Sequence, residues 1–192
     1  MRYLIIGLML VANLFAVQED KIQIFMSQNI NNVVKIIKNG KENNISKDIL
    51  SQKIFKIFDP VFDYKLMARL AVGGRVWRSI NQSQREEFTT LFTKRLKSSY
   101  KSKLDMYNGQ TITVDSIKKI KANRILLLSE LSGKKQKYDI TYKFYKAKNA
   151  QWYIYDVNIL GVSIIQTYRA QFSDELKKSS FNELLKKLYK KS

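Results

Sequence analysis

The sequence predicts an α+β domain in which helices come first, an antiparallel sheet follows and two further helices close the chain. Three observations predict it. Apolar residues recur at three- and four-residue spacing from Ile22 to Tyr107, the period changes to two from Thr111 onward, and at Gly161 a strand runs directly into a helix.

Each element follows in turn. Over residues 19–39, Ile22, Phe25, Met26, Ile30, Val33, Ile36 and Ile37 form one apolar helical face, with Gly40 as its expected stop. Ser46 caps a second helix carrying Ile49, Leu50, Ile54, Phe55 and Ile57, and Pro60, the only proline, ends it. A third helix over 61–74 opens at Asp63 and closes at Gly73 and Gly74. Ser83 and Glu86 have capping-box spacing, ahead of a long helix with Phe88, Leu91, Phe92, Leu96, Tyr100, Leu104 and Tyr107 on one side and Asn108–Gly109 at its end. Strands then follow at Thr111–Asp115, Ile125–Leu131, Gln136–Tyr145 and Trp152–Ile159, the middle two joined by a turn at Ser132–Lys135. Short turns between consecutive strands imply an antiparallel meander. In the last strand, alternation places Tyr153, Tyr155, Val157 and Ile159 on one face and Trp152, Ile154, Asp156 and Asn158 on the other. Ser163 caps a helix with Ile164, Ile165, Tyr168 and Phe172 on its apolar side. Ser180 and Glu183 start a last helix whose lysine-rich end suits the negative pole of its dipole. The expected count is four helices, a four-stranded sheet and two helices.

Composition narrows the function. The 192-residue chain contains neither cysteine nor histidine, so thiol chemistry, disulfides and the commonest metal ligand and neutral-pH base are unavailable to it. The net charge of +19 favours anionic partners such as nucleic acid, anionic lipid or acidic protein, or reflects lysine used for solubility. Arg2, the apolar run Leu4–Val11 and Ala16 read as a secretory signal peptide over residues 1–16, with a single domain over 17–192. Loss of residues 1–16 removes one basic and no acidic side chain and leaves +18. The alternative, a retained membrane anchor, needs an apolar span of about 20 residues, which this run does not reach. Export points to lipid or envelope proteins as partners and away from nucleic acid.

Two spaced motifs resemble the MlaC family of periplasmic phospholipid-binding carriers, also called toluene-tolerance auxiliary proteins. One comprises Tyr155, Asp156, Val157, Gly161, Val162, Ser163, Tyr168, Arg169, Gln171 and Phe172; the other comprises Phe62, Asp63, Tyr64, Met67, Ala68, Gly74, Trp77 and Arg78. The resemblance implies a curved four-stranded antiparallel sheet with helices packed on its concave side, enclosing an apolar lipid cavity. It implies phospholipid as cargo with no cofactor, metal or catalysis. The partners it implies are an inner-membrane ABC transporter complex with a lipid-domain subunit and an outer-membrane lipoprotein–porin complex, in the service of outer-membrane lipid asymmetry. A monomer is expected.

The lipid-binding candidates are Met67 and Leu70 on the third helix; Phe92, Leu96 and Tyr100 on the long helix; Tyr138, Ile140 and Tyr142 on the third strand; Tyr153, Tyr155, Val157 and Ile159 on the fourth; and Val162, Ile165 and Tyr168 around the helix that follows. By residue type alone these side chains suit a filled core better than a hollow one; only the resemblance reverses that. Arg78 and Arg169, inside the motifs, are the headgroup candidates, with a bond to Asp156 or to a helix end as their structural alternative. Two other classes compete with this reading. Nucleic-acid binding would draw on the charge and the aromatic residues. An enzyme would need paired carboxylates among Asp63, Asp105, Asp139 and Asp156, which fall in separate elements at no pairing spacing.

Overall fold

Five helices precede the sheet in the computed structural model, which describes residues 21–102, 104, 107–133 and 136–190. The stretch read as a signal peptide, Asp105 and the Lys134–Lys135 half of the hairpin turn lie outside the described residues. The helices are α1 (Ile22–Glu42), α2 (Lys47–Phe58), α3 (Tyr64–Val72), α4 (Gly74–Ser79) and α5 (Gln82–Lys101). Strands β1 (Thr111–Lys121), β2 (Arg124–Ser132), β3 (Lys137–Lys146), β4 (Trp152–Ile159) and β5 (Val162–Ser163) follow, then α6 (Ile164–Leu176) and α7 (Phe181–Lys190).

Local chemistry explains where these bounds depart from expectation. Helix α1 runs past Gly40 to Glu42, because Gly40 makes room and does not terminate. A Cβ there would sit 2.2 Å from Cδ2 of Leu50 on α2, so the two helices approach through the missing side chain. Gly40→Val is accordingly expected to cost about 1–3 kcal/mol by overpacking, read as a lower urea midpoint; an unchanged midpoint would refute the close approach. The expected third helix breaks at Gly73, whose φ of +92° favours glycine, and α4 is the extra element. The capping box of α5 falls two residues earlier than Ser83: Gln84 N donates to Asn81 Oδ1 at 2.9 Å, and Asn81 N donates to Gln84 Oε1 at 3.1 Å. Helix α5 ends at Lys101, short of Asn108–Gly109. Ser46 and Asp63 cap α2 and α3 as expected, accepting from Ile49 N and Leu66 N.

The sheet is an antiparallel meander in the order β1-β2-β3-β4-β5. Its fifth strand was not expected. Leu160 and Gly161 both take positive φ, 54° and 77°, making a two-residue hairpin turn that folds Val162–Ser163 back onto β4. The rest of that outer edge of β4 is occupied by the α2–α3 connection: Ile154 N donates to Val61 O at 2.8 Å and Asp63 N to Ile154 O at 3.0 Å. At the opposite edge, the register of β1 against β2 shifts twice, at Asp115 and at Ile120, and Lys118, Lys119 and Lys121 are exposed along it.

A third register shift reorganises the site. Phe144 pairs with Ile154 and Lys143 with Asp156, so Tyr155 is an extra residue in β4. A bulge of this kind reverses the side-to-side alternation. Trp152 and Ile154 before it, and Val157 and Ile159 after it, therefore pack with α1 and the inner sheet face. Tyr153 and Tyr155 turn to the other face, where they meet the Tyr145 ring at 6.1 Å, with the Arg124 guanidinium over Tyr145 and Tyr155. The expectation that these two tyrosines share a face with Val157 and Ile159 is corrected on this ground.

The buried residues divide into two clusters. One gathers α3 to α7 around Phe88, Phe92 and Phe172; the other gathers α1 and the sheet around Phe144, Trp152 and Ile154. Phe62 and Ile164 pack against both.

Candidate functional site

A cavity of about 230 Å³ lies between the two clusters. Five parts of the fold build its walls. Helix α2 contributes Ile54, Phe55 and Phe58; α3 and the segment before it contribute Phe62, Tyr64 and Met67. Helix α5 contributes Leu96, Lys97 and Tyr100, the sheet Ile140, Tyr142, Val157 and Ile159, and the start of α6 contributes Ile164. Of these side chains only Lys97 carries a charge.

That charge is held in place. Lys97 Nζ donates to Asp59 Oδ2 at 2.7 Å and lies 5.1 Å from the ring centroids of both Phe55 and Tyr64. Tyr64 OH donates to the other oxygen, Asp59 Oδ1, at 2.7 Å. Burial, and then this bond to a carboxylate, push the Tyr64 hydroxyl well above the usual phenol range. The ion pair ties the end of α2 to α5 across the cavity wall. Lys101 on α5 also bonds Asp48 near the start of α2, so the helix is pinned at both ends.

On the sheet side the polar groups are phenols. Burial pushes Tyr142 up to about 12. On α5, Tyr100 is raised first by burial and then by the charges of Tyr168, Asp156 and Tyr142. Tyr168 OH shares a hydrogen bond of 3.2 Å with Ser99 Oγ.

The edge of this wall depends on Asp156, which is only 4% exposed. Its carboxylate accepts from Lys143 Nζ at 2.9 Å, Ser163 Oγ at 2.7 Å and Ile165 N at 3.2 Å. The same side chain thereby joins β3, the β5 turn and the positive end of α6, and it fixes Ile164 against the cavity.

The model of the MlaC protein family matches residues 27–190. The chain belongs to the MlaC family. A solved structure of a phospholipid-binding protein from Ralstonia solanacearum, in complex with a phospholipid, superimposes with a TM-score of 0.73 at 22% identity, covering 88% of this chain and 95% of that one. No curated protein matches the chain. At that identity the likeness establishes the fold, an open antiparallel sheet with helices.

Within this MlaC fold the nominated residues divide. Met67, Leu96, Tyr100, Ile140, Tyr142, Val157 and Ile159 line the cavity. Phe92 and Ile165 are buried in the helical cluster, and Leu70 packs against it. Tyr168 and Val162 border an adjoining groove, and Tyr138 is half-buried one pair further along β3 than Ile140. Tyr153 and Tyr155 lie on the far face. Neither arginine lines the cavity. Arg169 donates to Leu70 O at 3.2 Å, and its guanidinium lies 3.0 Å from where a Cβ on Gly73 would be, so it closes the C-terminal end of α3. Arg78 is exposed on α4. The sequence did not single out Phe58, Phe62, Tyr64, Lys97 or Ile164 as site residues. The spacing of Phe55, Phe58 and Phe62 around Pro60 was the available signal for an aromatic wall.

Among the described residues no cluster of three or more acidic, histidine or cysteine side chains is placed to hold a metal, and no helix is long and apolar enough to cross a membrane. Asp63 is engaged as the α3 cap and accepts from Tyr145 OH, and Asp156 accepts from Lys143, Ser163 and Ile165.

Proposed function

We propose that this chain is a non-enzymatic carrier of glycerophospholipids that takes their acyl chains into the cavity between its two apolar clusters. The observation that carries the reading is the cavity itself: an apolar space lined from the helices and the sheet, in a fold whose family is known for lipid carriage. The solved relative bound to a phospholipid supports the same ligand class. Each methylene kept from water is worth about 0.8 kcal/mol, so two chains with roughly 25–30 methylenes represent on the order of 20 kcal/mol. A molecule with that penalty does not cross water unaided at a useful rate, and a carrier supplies the shelter. At about 230 Å³ the space is below the roughly 300–1,000 Å³ of common ligand pockets, so loading a full lipid requires the walls to part. Parting α2 from α5 would break the two ion pairs that hold them together.

In the cell the carrier shuttles phospholipid through the periplasm between the two membranes of a diderm bacterium and maintains outer-membrane asymmetry. Its docking partners are an inner-membrane ABC transporter complex and an outer-membrane lipoprotein–porin complex. Mass spectrometry of an organic extract of protein purified from the periplasm tests the reading. Phospholipid in near-stoichiometric amount is the expected result, and a lipid-free protein that also fails to load lipid in vitro would overturn it.

A further inference from the structure

Charge is unevenly spread over the sheet. Residues 116–129 and 140–155 contain seven basic and no acidic side chains, and strand pairing brings the two stretches together. Lys121 pairs with Arg124, Arg124 with Tyr145 and Tyr145 with Tyr153, so these four residues form one row across the outer sheet face. Lys118, opposite Leu126, stands in the next row of that face. Lys146 N donates to Asn123 O at 3.1 Å, which sets the β1–β2 turn beside the β3–β4 turn that carries Lys148. Lys118, Lys121, Lys146 and Lys148 are all exposed, and among the described residues none of them forms an ion pair. Between Lys119 and Lys121, at the second register shift of β1, Ile120 is 48% exposed.

We infer that this end of the sheet docks the protein on the surface of an anionic lipid bilayer. The inference goes beyond cargo binding, because the cavity is lined from the opposite ends of β3 and β4, at Ile140, Tyr142, Val157 and Ile159. The residue types favour a bilayer over an acidic protein. Protein interfaces enrich arginine and deplete lysine, since a planar guanidinium makes two fixed bonds to a carboxylate and an ammonium on a flexible stem does not. Here four exposed lysines accompany one arginine, and that arginine lies over the rings of Tyr145 and Tyr155. A bilayer presents laterally mobile phosphates, which gather under point charges and demand no fixed geometry. Ile120 adds an apolar side chain that can enter the boundary between headgroups and acyl chains.

The test is co-sedimentation of protein purified from the periplasm with two kinds of vesicle, phosphatidylcholine alone and phosphatidylcholine with about one-third phosphatidylglycerol. The native protein should bind the anionic vesicles at low salt, ignore the neutral ones, and be released at high ionic strength. Joint replacement Lys118→Gln, Lys121→Gln, Lys146→Gln and Lys148→Gln should weaken binding at least about a hundredfold, at about fivefold for each lysine. A control with the same loss of charge replaces the exposed helical lysines Lys53, Lys56, Lys65 and Lys94 by glutamine and should bind nearly as the native protein does. Equal weakening in the two variants would show that net charge and not this patch does the binding, and would overturn the inference. Failure of the native protein to bind anionic vesicles at low salt would also overturn it and leave the patch to an acidic protein. Phospholipid loading from cyclodextrin reports on the cavity separately: the four-lysine patch variant should load as the native protein does, and a parallel loss of loading would place these lysines in cargo binding and overturn the docking role. A native protein that binds anionic vesicles yet loads no phospholipid would overturn the carrier reading and leave the docking surface standing.

Discussion

Val157→Glu and Ile140→Glu are each expected to reduce bound phospholipid at least a hundredfold while far-UV circular dichroism stays close to native. Both side chains are buried on the inner sheet face and line the cavity. A carboxylate there either ionises in an apolar chamber, at a cost of several kcal/mol, or draws in water that hydrocarbon must then displace. Either cost is enough for the stated loss, since each 1.4 kcal/mol is a factor of ten. Val157→Ala separates charge from lost volume and should retain most loading. Tyr155→Glu makes the comparison sharper. Uninterrupted alternation would put residue 155 beside 157, whereas the bulge turns it toward Tyr145 and Arg124, so this variant should load normally. Lipid retained in both inner-face variants, or lost in Tyr155→Glu with its fold intact, would show that the faces are assigned the wrong way round.

Asp156→Ala is expected to destabilise the protein by about 3 kcal/mol, measured as the shift in a urea unfolding curve. Removing one partner of a buried ion pair costs more than the pair contributes, because the other charge stays behind. Here Lys143, 26% exposed, would keep its ammonium near the buried edge without the carboxylate. Ser163 Oγ and Ile165 N would lose their acceptor in the same step. The loss also loosens the hold on Ile164, so loading should fall along with stability. Lys143→Met leaves the carboxylate its hydroxyl and amide donors and should cost less. A shift under about 0.5 kcal/mol for Asp156→Ala, the range of ordinary surface substitutions, would show that the carboxylate does not organise this edge.

Much of the fold is legible in the sequence because periodicity is a direct record of burial. The change of period at Thr111 locates the sheet, and Ser46, Asp63 and Ser163 mark helix starts that their side chains do cap. The bulge at Tyr155 is not legible. One extra residue in Tyr-Ile-Tyr-Asp-Val leaves the apolar and polar letters looking regular while reversing which side they face. The wall formed by α2 is hidden for a different reason. Ile54, Phe55 and Phe58 obey the same helical spacing whether they meet a neighbour or border a void, so pattern alone reads them as core. The family motifs had a similar limit: they contain Arg169, whose partner proves to be the carbonyl of Leu70 at a helix end.

The outer border of β1 has a consequence for how copies of the molecule behave together. Two kinks in a single strand and a row of ammonium groups deny an approaching chain the straight, uncharged ladder that strand addition requires. On the other side of the sheet, β5 and the Val61–Asp63 segment already occupy backbone groups of β4. Growth of the sheet from one molecule into the next is therefore obstructed at both margins, and the chain tolerates crowding without polymerising through its strands.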